Sequence, residues 1–292
     1  MKILICIDGS EQADRAAKLG AEIAAGCQAE VTLLGISESA ATSKTIVEPL
    51  QRAQSLFEDK KIHAELITKT GEPIEEIRRR TEEAHYDLVI IGAVRKENRG
   101  PFWMSSKSYK IIKQIKPPVL SFAGKVAAIK RILICSGGKR YIDNAVHLSG
   151  QIARALGATV TLLHVMPEPP ALYARLPRIE ETAEWLLSSH SELGLNLRYA
   201  RECLEALGLS VVVRLRQGPV LQEILREIHE GSEDLVVTGS ALSRSLRTYV
   251  LGDISREIVN RATCAVLVVR SPAKLPRPPF ALRKESRPMT GN

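Results

Sequence analysis

The sequence predicts an α/β protein made of two tandem, doubly wound parallel-sheet domains. Three observations predict it: the chain repeats itself, each copy alternates short apolar runs with helical patterns, and the apolar runs are nearly continuous. Ile3-Leu4-Ile5-Cys6 recurs as Ile132-Leu133-Ile134-Cys135, an offset of 129 that also carries Asp14 to Asp143, Leu19 to Leu148 and Val31-Thr32-Leu33-Leu34 to Val160-Thr161-Leu162-Leu163. Further on the offset becomes 147, which relates Gly71 to Gly218, Asp87-Leu88-Val89 to Asp234-Leu235-Val236, Gly92 to Gly239 and Val119-Leu120 to Val266-Leu267. The second copy therefore carries eighteen extra residues between these blocks. Self-similarity of this kind marks duplicated units. It divides the chain into a first domain at 1–124, a second at 130–270 with a helical insertion, and a tail at 271–292.

In the first copy, strands are expected at 2–7, 30–36, 62–68, 88–91 and 119–122. Runs of Val, Ile and Leu without polar alternation suit strands buried on both faces of a parallel sheet. Helices fit between them. Residues 12–25 place Ala16, Leu19 and Ile23 on one face, and 72–83 begins with Pro73 at a position that tolerates proline. In the second copy 180–207 reads as one lengthened helix containing Trp185-Leu186-Leu187, whose apolar residues are expected in the core. At 292 residues, with 45% hydrophobic and 25% charged residues, the chain can bury two cores. Aromatics are only 4%, so those cores must be aliphatic.

The usual order for five such strands, 3-2-1-4-5, is Rossmann-like. It puts a ligand crevice at the carboxyl ends of the first and fourth strands, where strand order reverses. The loops there are Asp8-Gly9-Ser10 and 92–108 in the first copy, and Gly137-Gly138-Lys139 and 239–255 in the second. Ile7-Asp8-Gly9-Ser10, the strand Asp87-Leu88-Val89-Ile90-Ile91-Gly92 and the loop-to-helix spacing after it resemble a universal stress protein domain. The resemblance covers both copies to about Arg270, and tandem arrangements are familiar in that family.

The resemblance implies stress adaptation through binding or signalling, with ATP or AMP held by a loop of the form G-x2-G-x9-G-[ST] and by an Asp after the first strand. Glycine lets backbone approach phosphate, and amides at a helix start favour anions. In the first copy Asp8, Gly92 and Ser106 match, while Arg95 and Ser105 replace the second and third glycines. Arg95, Lys96, Arg99 and Lys107 outnumber Glu97, and an arginine can pair directly with phosphate. The implied first-copy set is Asp8, Gly9, Ser10, Ile36, Gly92, Arg95, Ser105, Ser106 and Ser108. The second copy keeps Gly239 and Gly252 but has Gly137 for the Asp, Leu242 for the second glycine and Asp253 at the hydroxyl position. Bulk and negative charge there make a degenerate site, so nucleotide is expected in the first domain or in neither, the alternative being a non-nucleotide-binding protein-interaction module.

No catalytic constellation is expected. The six histidines are scattered without metal-ligand spacing, and His164 at the end of a strand reads as structural. Asp14 and Asp143 read as local caps or ion-pair partners. Ser136-Gly137-Gly138 resembles the start of the S-G-G-x-D-S loop of adenylating enzymes, but Lys139-Arg140-Tyr141 follows it without the Asp and Ser that loop requires. The five cysteines form no Cys-x-x-Cys pair, which suits a reducing compartment. The opening apolar run ends at Asp8, too short for a signal segment, and no stretch is long enough to span a membrane. A cytoplasmic protein is expected. Half of the formal charge of +8 sits in the proline-rich tail, where Lys274, Arg277, Arg283, Lys284 and Arg287 face Glu285 alone. That composition reads as a disordered, solubilising end, and nucleic acid is not the expected partner. The last strands, around Val119-Leu120 and Val266-Leu267, are apolar edges that need covering. Pairing of the two copies as an intrachain pseudo-dimer would cover them; a homodimer and an unidentified protein partner are further expectations of the family.

Overall fold

The apolar runs become strands and the periodic segments become helices, in the order the repeat demands. The computed structural model describes residues 1–38, 45–93, 95–96, 103–104, 106–122, 128–138, 143–166, 182–242, 249–250 and 253–270. In the first half these are β1 (Lys2–Ile7), α1 (Glu11–Cys27), β2 (Glu30–Ser37), α2 (Val47–Glu58), β3 (Ala64–Thr70), α3 (Pro73–Glu83), β4 (Leu88–Gly92), the short β5 (Arg95–Lys96) and β6 (Trp103–Met104), α4 (Ser106–Gln114) and β7 (Val119–Phe122). In the second half they are β8 (Arg131–Ser136), α5 (Asp143–Leu156), β9 (Thr159–Met166), α6 (Ala183–Ser188), α7 (Glu192–Glu205), β10 (Val211–Gln217), α8 (Val220–Glu230), β11 (Leu235–Leu242), β12 (Tyr249–Val250), α9 (Asp253–Arg261) and β13 (Ala265–Arg270).

The strands form one continuous sheet in the order β10-β9-β8-β11-β13-β7-β4-β1-β2-β3. Each half has the order 3-2-1-4-5 with parallel pairing throughout, as the sequence predicts. The halves join where β7 and β13 pair antiparallel, with Leu120 opposite Leu267. These residues are equivalent under the repeat, so the junction matches itself. The helix layer does the same: a Cβ on Gly26 of α1 would lie 2.6 Å from the Cα of Ala155 of α5, its repeat equivalent. Such self-matching is the signature of a two-fold contact.

Strand alternation sends successive side chains to opposite faces. Ile3, Ile5, Leu33, Leu88, Ile90, Ile132, Ile134 and Leu267 pack with α1, α2, α5 and α7 on one face. Leu4, Leu34, Val89, Val119, Leu133, Val236 and Val266 pack with α3, α4, α8 and α9 on the other. Both cores run across the junction, so neither half has a core wholly its own.

Two expectations need correction. Residues 182–207 form two helices, not one: α6 stops at Ser188, and Ser191 starts α7 by accepting the Gly194 N–H on its hydroxyl at 3.1 Å. A serine that caps a new helix competes with the continuation of the old one. Trp185 is not core; it is 47% exposed, while its neighbour Leu186 is buried. A smaller shift affects β3, which begins at Ala64 because Lys61 takes a left-handed conformation (φ 59°) and Ile62 N–H still bonds the Phe57 carbonyl of α2. The tail at 271–292 lies outside the described residues.

Candidate functional site

At the switch point of the first half, β1 lies between β2 and β4, with Cys6 opposite Leu34 and Ile91. The chain leaves β1 at Asp8, turns at Gly9 with φ 79°, and enters α1 at Ser10. Only glycine adopts that φ without cost. The Asp8 carboxylate accepts the Ser10 N–H at 2.9 Å, and the Ser10 hydroxyl accepts the Ala13 N–H at 3.2 Å. Asp8 thus stands exposed at the turn, while Ser10 is committed as the N-cap of a long helix whose positive end points into the crevice.

Gly92 ends β4 on the other side of the crevice. A Cβ there would lie 2.5 Å from the Ala13 nitrogen and 2.6 Å from the Gln12 carbonyl carbon. Backbone cannot yield as a flexible side chain would, so Gly92 is required for the first turn of α1 to sit against β4. This packing requirement stands beside the expectation that the glycine admits a phosphate. Ile36 is buried in β2 beside the crevice. Beyond Gly92 the chain forms the β5–β6 hairpin, pairing Arg95 with Met104, and re-enters helix at Ser106. The side chains of Arg95 and Ser106, and the whole of Ser105, lie outside the described residues. Ser108 is buried, 4% exposed.

The second half repeats this scaffold with different chemistry. Gly137 stands in place of Asp8, with nothing within 4 Å of where its Cβ would be. Gly138 repeats the turn with φ 76°. It is tied down by α7: the Asn196 amide donates to the Gly138 carbonyl at 3.0 Å, and Leu193 Cδ1 lies 2.9 Å from the site of a Cβ. His164 Nδ1 is 2.9 Å from the Ser136 carbonyl oxygen, which makes this histidine a fastening of the same turn. Ser255, the repeat equivalent of Ser108, donates its hydroxyl to the Gly239 carbonyl at 2.7 Å and lies 2.8 Å from the Thr238 hydroxyl. Leu242 pairs with Tyr249 in the β11–β12 hairpin, and Asp253 opens α9. Their side chains and Gly252 lie outside the described residues. Asn196 lies on α7, the counterpart of α2 under the 147 offset, and its equivalent Pro49 comes 3.3 Å from the site of a Cβ on Gly9; no motif in the sequence marks this contact.

Nucleophiles near the crevices are quiet. Burial, with the Asp8 charge adding to it, pushes the Cys6 thiol up to about 12, and burial likewise raises Cys135. A thiol held protonated is neither nucleophile nor metal ligand. No group of three or more His, Cys, Asp or Glu among the described residues could hold a metal ion. Asp14 pairs with Arg52 at 3.3 Å. The arrangement offers an exposed carboxylate, a helix N-terminus and an adjoining loop, which is a means of holding a polar ligand.

The family model described as the universal stress protein family matches residues 1–122 and again 128–270. A universal stress protein of Methanocaldococcus jannaschii is 26% identical over 146 residues, covering 50% of this chain and 84% of that one. One from Bacillus subtilis is 29% identical over 134 residues, covering 44% and 88%. Among solved structures, a universal stress protein from Archaeoglobus fulgidus aligns over 92% of this chain and 98% of its own, with a TM-score of 0.69 at 20% identity. Its agreement extends across both halves, so it bears on the tandem arrangement as well as on the single domain.

Proposed function

Because the chain belongs to the universal stress protein family, we propose that it acts in stress adaptation by binding, with an adenine nucleotide, ATP or AMP, held in its first half alone. The difference between the two switch points supports this most. Asp8 presents an exposed carboxylate beside the start of α1, whereas Gly137 offers no group at the equivalent place. One Asp8 oxygen holds the Ser10 N–H, and the other is available to accept from a ribose hydroxyl. The amides that open α1 and α4, with Arg95, Ser105 and Ser106 between Gly92 and α4, would receive the phosphates.

The test is to denature freshly purified protein and identify released small molecules by mass spectrometry, then to add ATP or AMP at millimolar concentration and follow thermal unfolding. Bound nucleotide, or a clear rise in Tm that Asp8→Ala abolishes, is the expected result. An empty protein with no change in Tm would contradict the proposal.

A second reading, a protein-interaction module, draws on one observation. Trp185 on α6 and Leu195 on α7 are each 47% exposed, and Tyr199 on α7 is 36% exposed; α6 has no counterpart in the first half, whereas α7 stands where α2 does. Exposed apolar side chains on neighbouring helices suit a partner surface. Trp185→Ala should leave Tm within a few degrees yet abolish capture of that partner; unchanged capture would remove this reading.

A further inference from the structure

A cleft of about 630 Å³ lies between the two halves. It opens at the amino ends of β4 and β7, the opposite edge of the first half's strands from Asp8. Both halves line it: His85, Asp87 and Lys116 from the turns before β4 and β7, and His147, Arg154 and Arg270 from α5 and the end of β13.

The charges in this cleft do not cancel. Asp87 is the one carboxylate among its described lining residues, and it is already engaged: its Oδ2 accepts the Lys2 N–H at 2.7 Å and its Oδ1 lies 3.2 Å from His85 Nε2. Arg270 is turned inward, donating its guanidinium to the Ile112 and Ile115 carbonyls at the end of α4. Lys116 and Arg154 are exposed, and neither forms an ion pair with a described residue. His147 and Arg154 sit seven residues apart on α5, on one face and about 10 Å apart along the axis. Lys116 faces them from the first half.

We infer that this cleft binds an extended small polyanion, carrying two or more phosphate groups, across the junction of the halves. Lys116 and Arg154 are its charge partners. Cations that line one recess raise the local concentration of anions, and phosphate, which carries more charge and more acceptor oxygens than a carboxylate, forms strong charge-assisted bonds with Lys and Arg. The volume falls within the roughly 300–1,000 Å³ of small-molecule sites, which favours a compact ligand over a nucleic acid. A single small anion would engage one wall only; a longer one reaches both. Binding only to the joined state, it would stabilise the arrangement of the halves.

The experiment is calorimetric titration of the full chain with inorganic tripolyphosphate and, separately, with a sugar bisphosphate, at low salt. One site per chain is expected, with affinity falling at least about tenfold in the Lys116→Gln/Arg154→Gln double variant, the loss of two charge-assisted contacts. Both positions are exposed, so the fold should survive; His147→Glu, which places a carboxylate in the cleft, provides a second weakening variant. Tripolyphosphate titrated in the presence of saturating AMP, whose single phosphate would engage one wall of the cleft only, should bind with the same affinity, which separates this site from the proposed nucleotide site. Binding of both probes would identify recognition of phosphate groups in general, and of tripolyphosphate alone a condensed phosphate; either supports the site. No binding of either probe, binding that the double variant leaves intact, or binding abolished by AMP would overturn it.

Discussion

Glu233 shows how a single position changes character between the copies. Its repeat equivalent is Tyr86, also buried, whose hydroxyl donates to Thr32 at 3.3 Å and accepts from Arg80 Nε at 2.8 Å. Glu233 is as buried, 6% exposed, and keeps the equivalent threonine: Thr161 donates to its Oε1 at 3.2 Å. Its Oε2 has no hydrogen-bond partner among the described residues. Desolvation raises its pKa to about 7, with the Glu227 and Asp234 charges adding and the Thr161 hydrogen bond and Arg131 charge opposing. A carboxyl raised in the folded state favours folding fully below its ordinary value near 4.5, and that contribution is lost as pH rises through 7. The shift corresponds to at most roughly 3 kcal/mol. Glu233→Gln, neutral at every pH, should therefore match the parent in urea unfolding at pH 4 and exceed its stability by about 2 kcal/mol at pH 8. An equal gap at both pH values would refute the buried-carboxyl explanation.

At the scale of elements, the halves meet along β7 and β13 in the sheet and along α1 and α5 in the helix layer. Leu120 and Leu267, both fully buried, face one another across the strand pair. An unpaired edge of Val119-Leu120-Ser121-Phe122 would present free backbone groups and apolar side chains to water. Leu120→Asp and Leu267→Asp each bury an uncompensated charge, so each should unfold or aggregate the protein, by about 3 kcal/mol or more. A monodisperse variant with unchanged Tm, by light scattering and thermal unfolding, would sink the pairing account. The elements themselves were largely legible in the sequence, because continuous Val, Ile and Leu runs and the repeat act locally and twice over. The break between α6 and α7 was not, since helical periodicity continues across Ser189-His190-Ser191 while hydroxyl capping decides the outcome. Nor was the reason for Gly92, which depends on the distance between β4 and the first turn of α1. The motif marked this glycine for a ligand, and the structure adds a packing requirement at the same position.

For the whole molecule, duplication has produced one sheet, two shared cores and two unlike crevices. The repeat keeps what the fold needs: the left-handed glycine turns at Gly9 and Gly138 and the self-matched contacts of Leu120 with Leu267 and Gly26 with Ala155. It varies what a ligand would touch. The first crevice retains Asp8; in the second, Gly137 is bare, Asn196 holds the turn and the Ser255 hydroxyl is bonded to Gly239. This asymmetry was visible in sequence as Asp8 against Gly137, whereas the fastening by α7 needed the structure. If one crevice and not two takes nucleotide, calorimetric titration of the nucleotide-free full chain with ATP should give one site per chain, lost in Asp8→Ala and kept in Asn196→Ala. Two per chain, none, or one that survives loss of the Asp8 carboxylate would contradict a single first-half site.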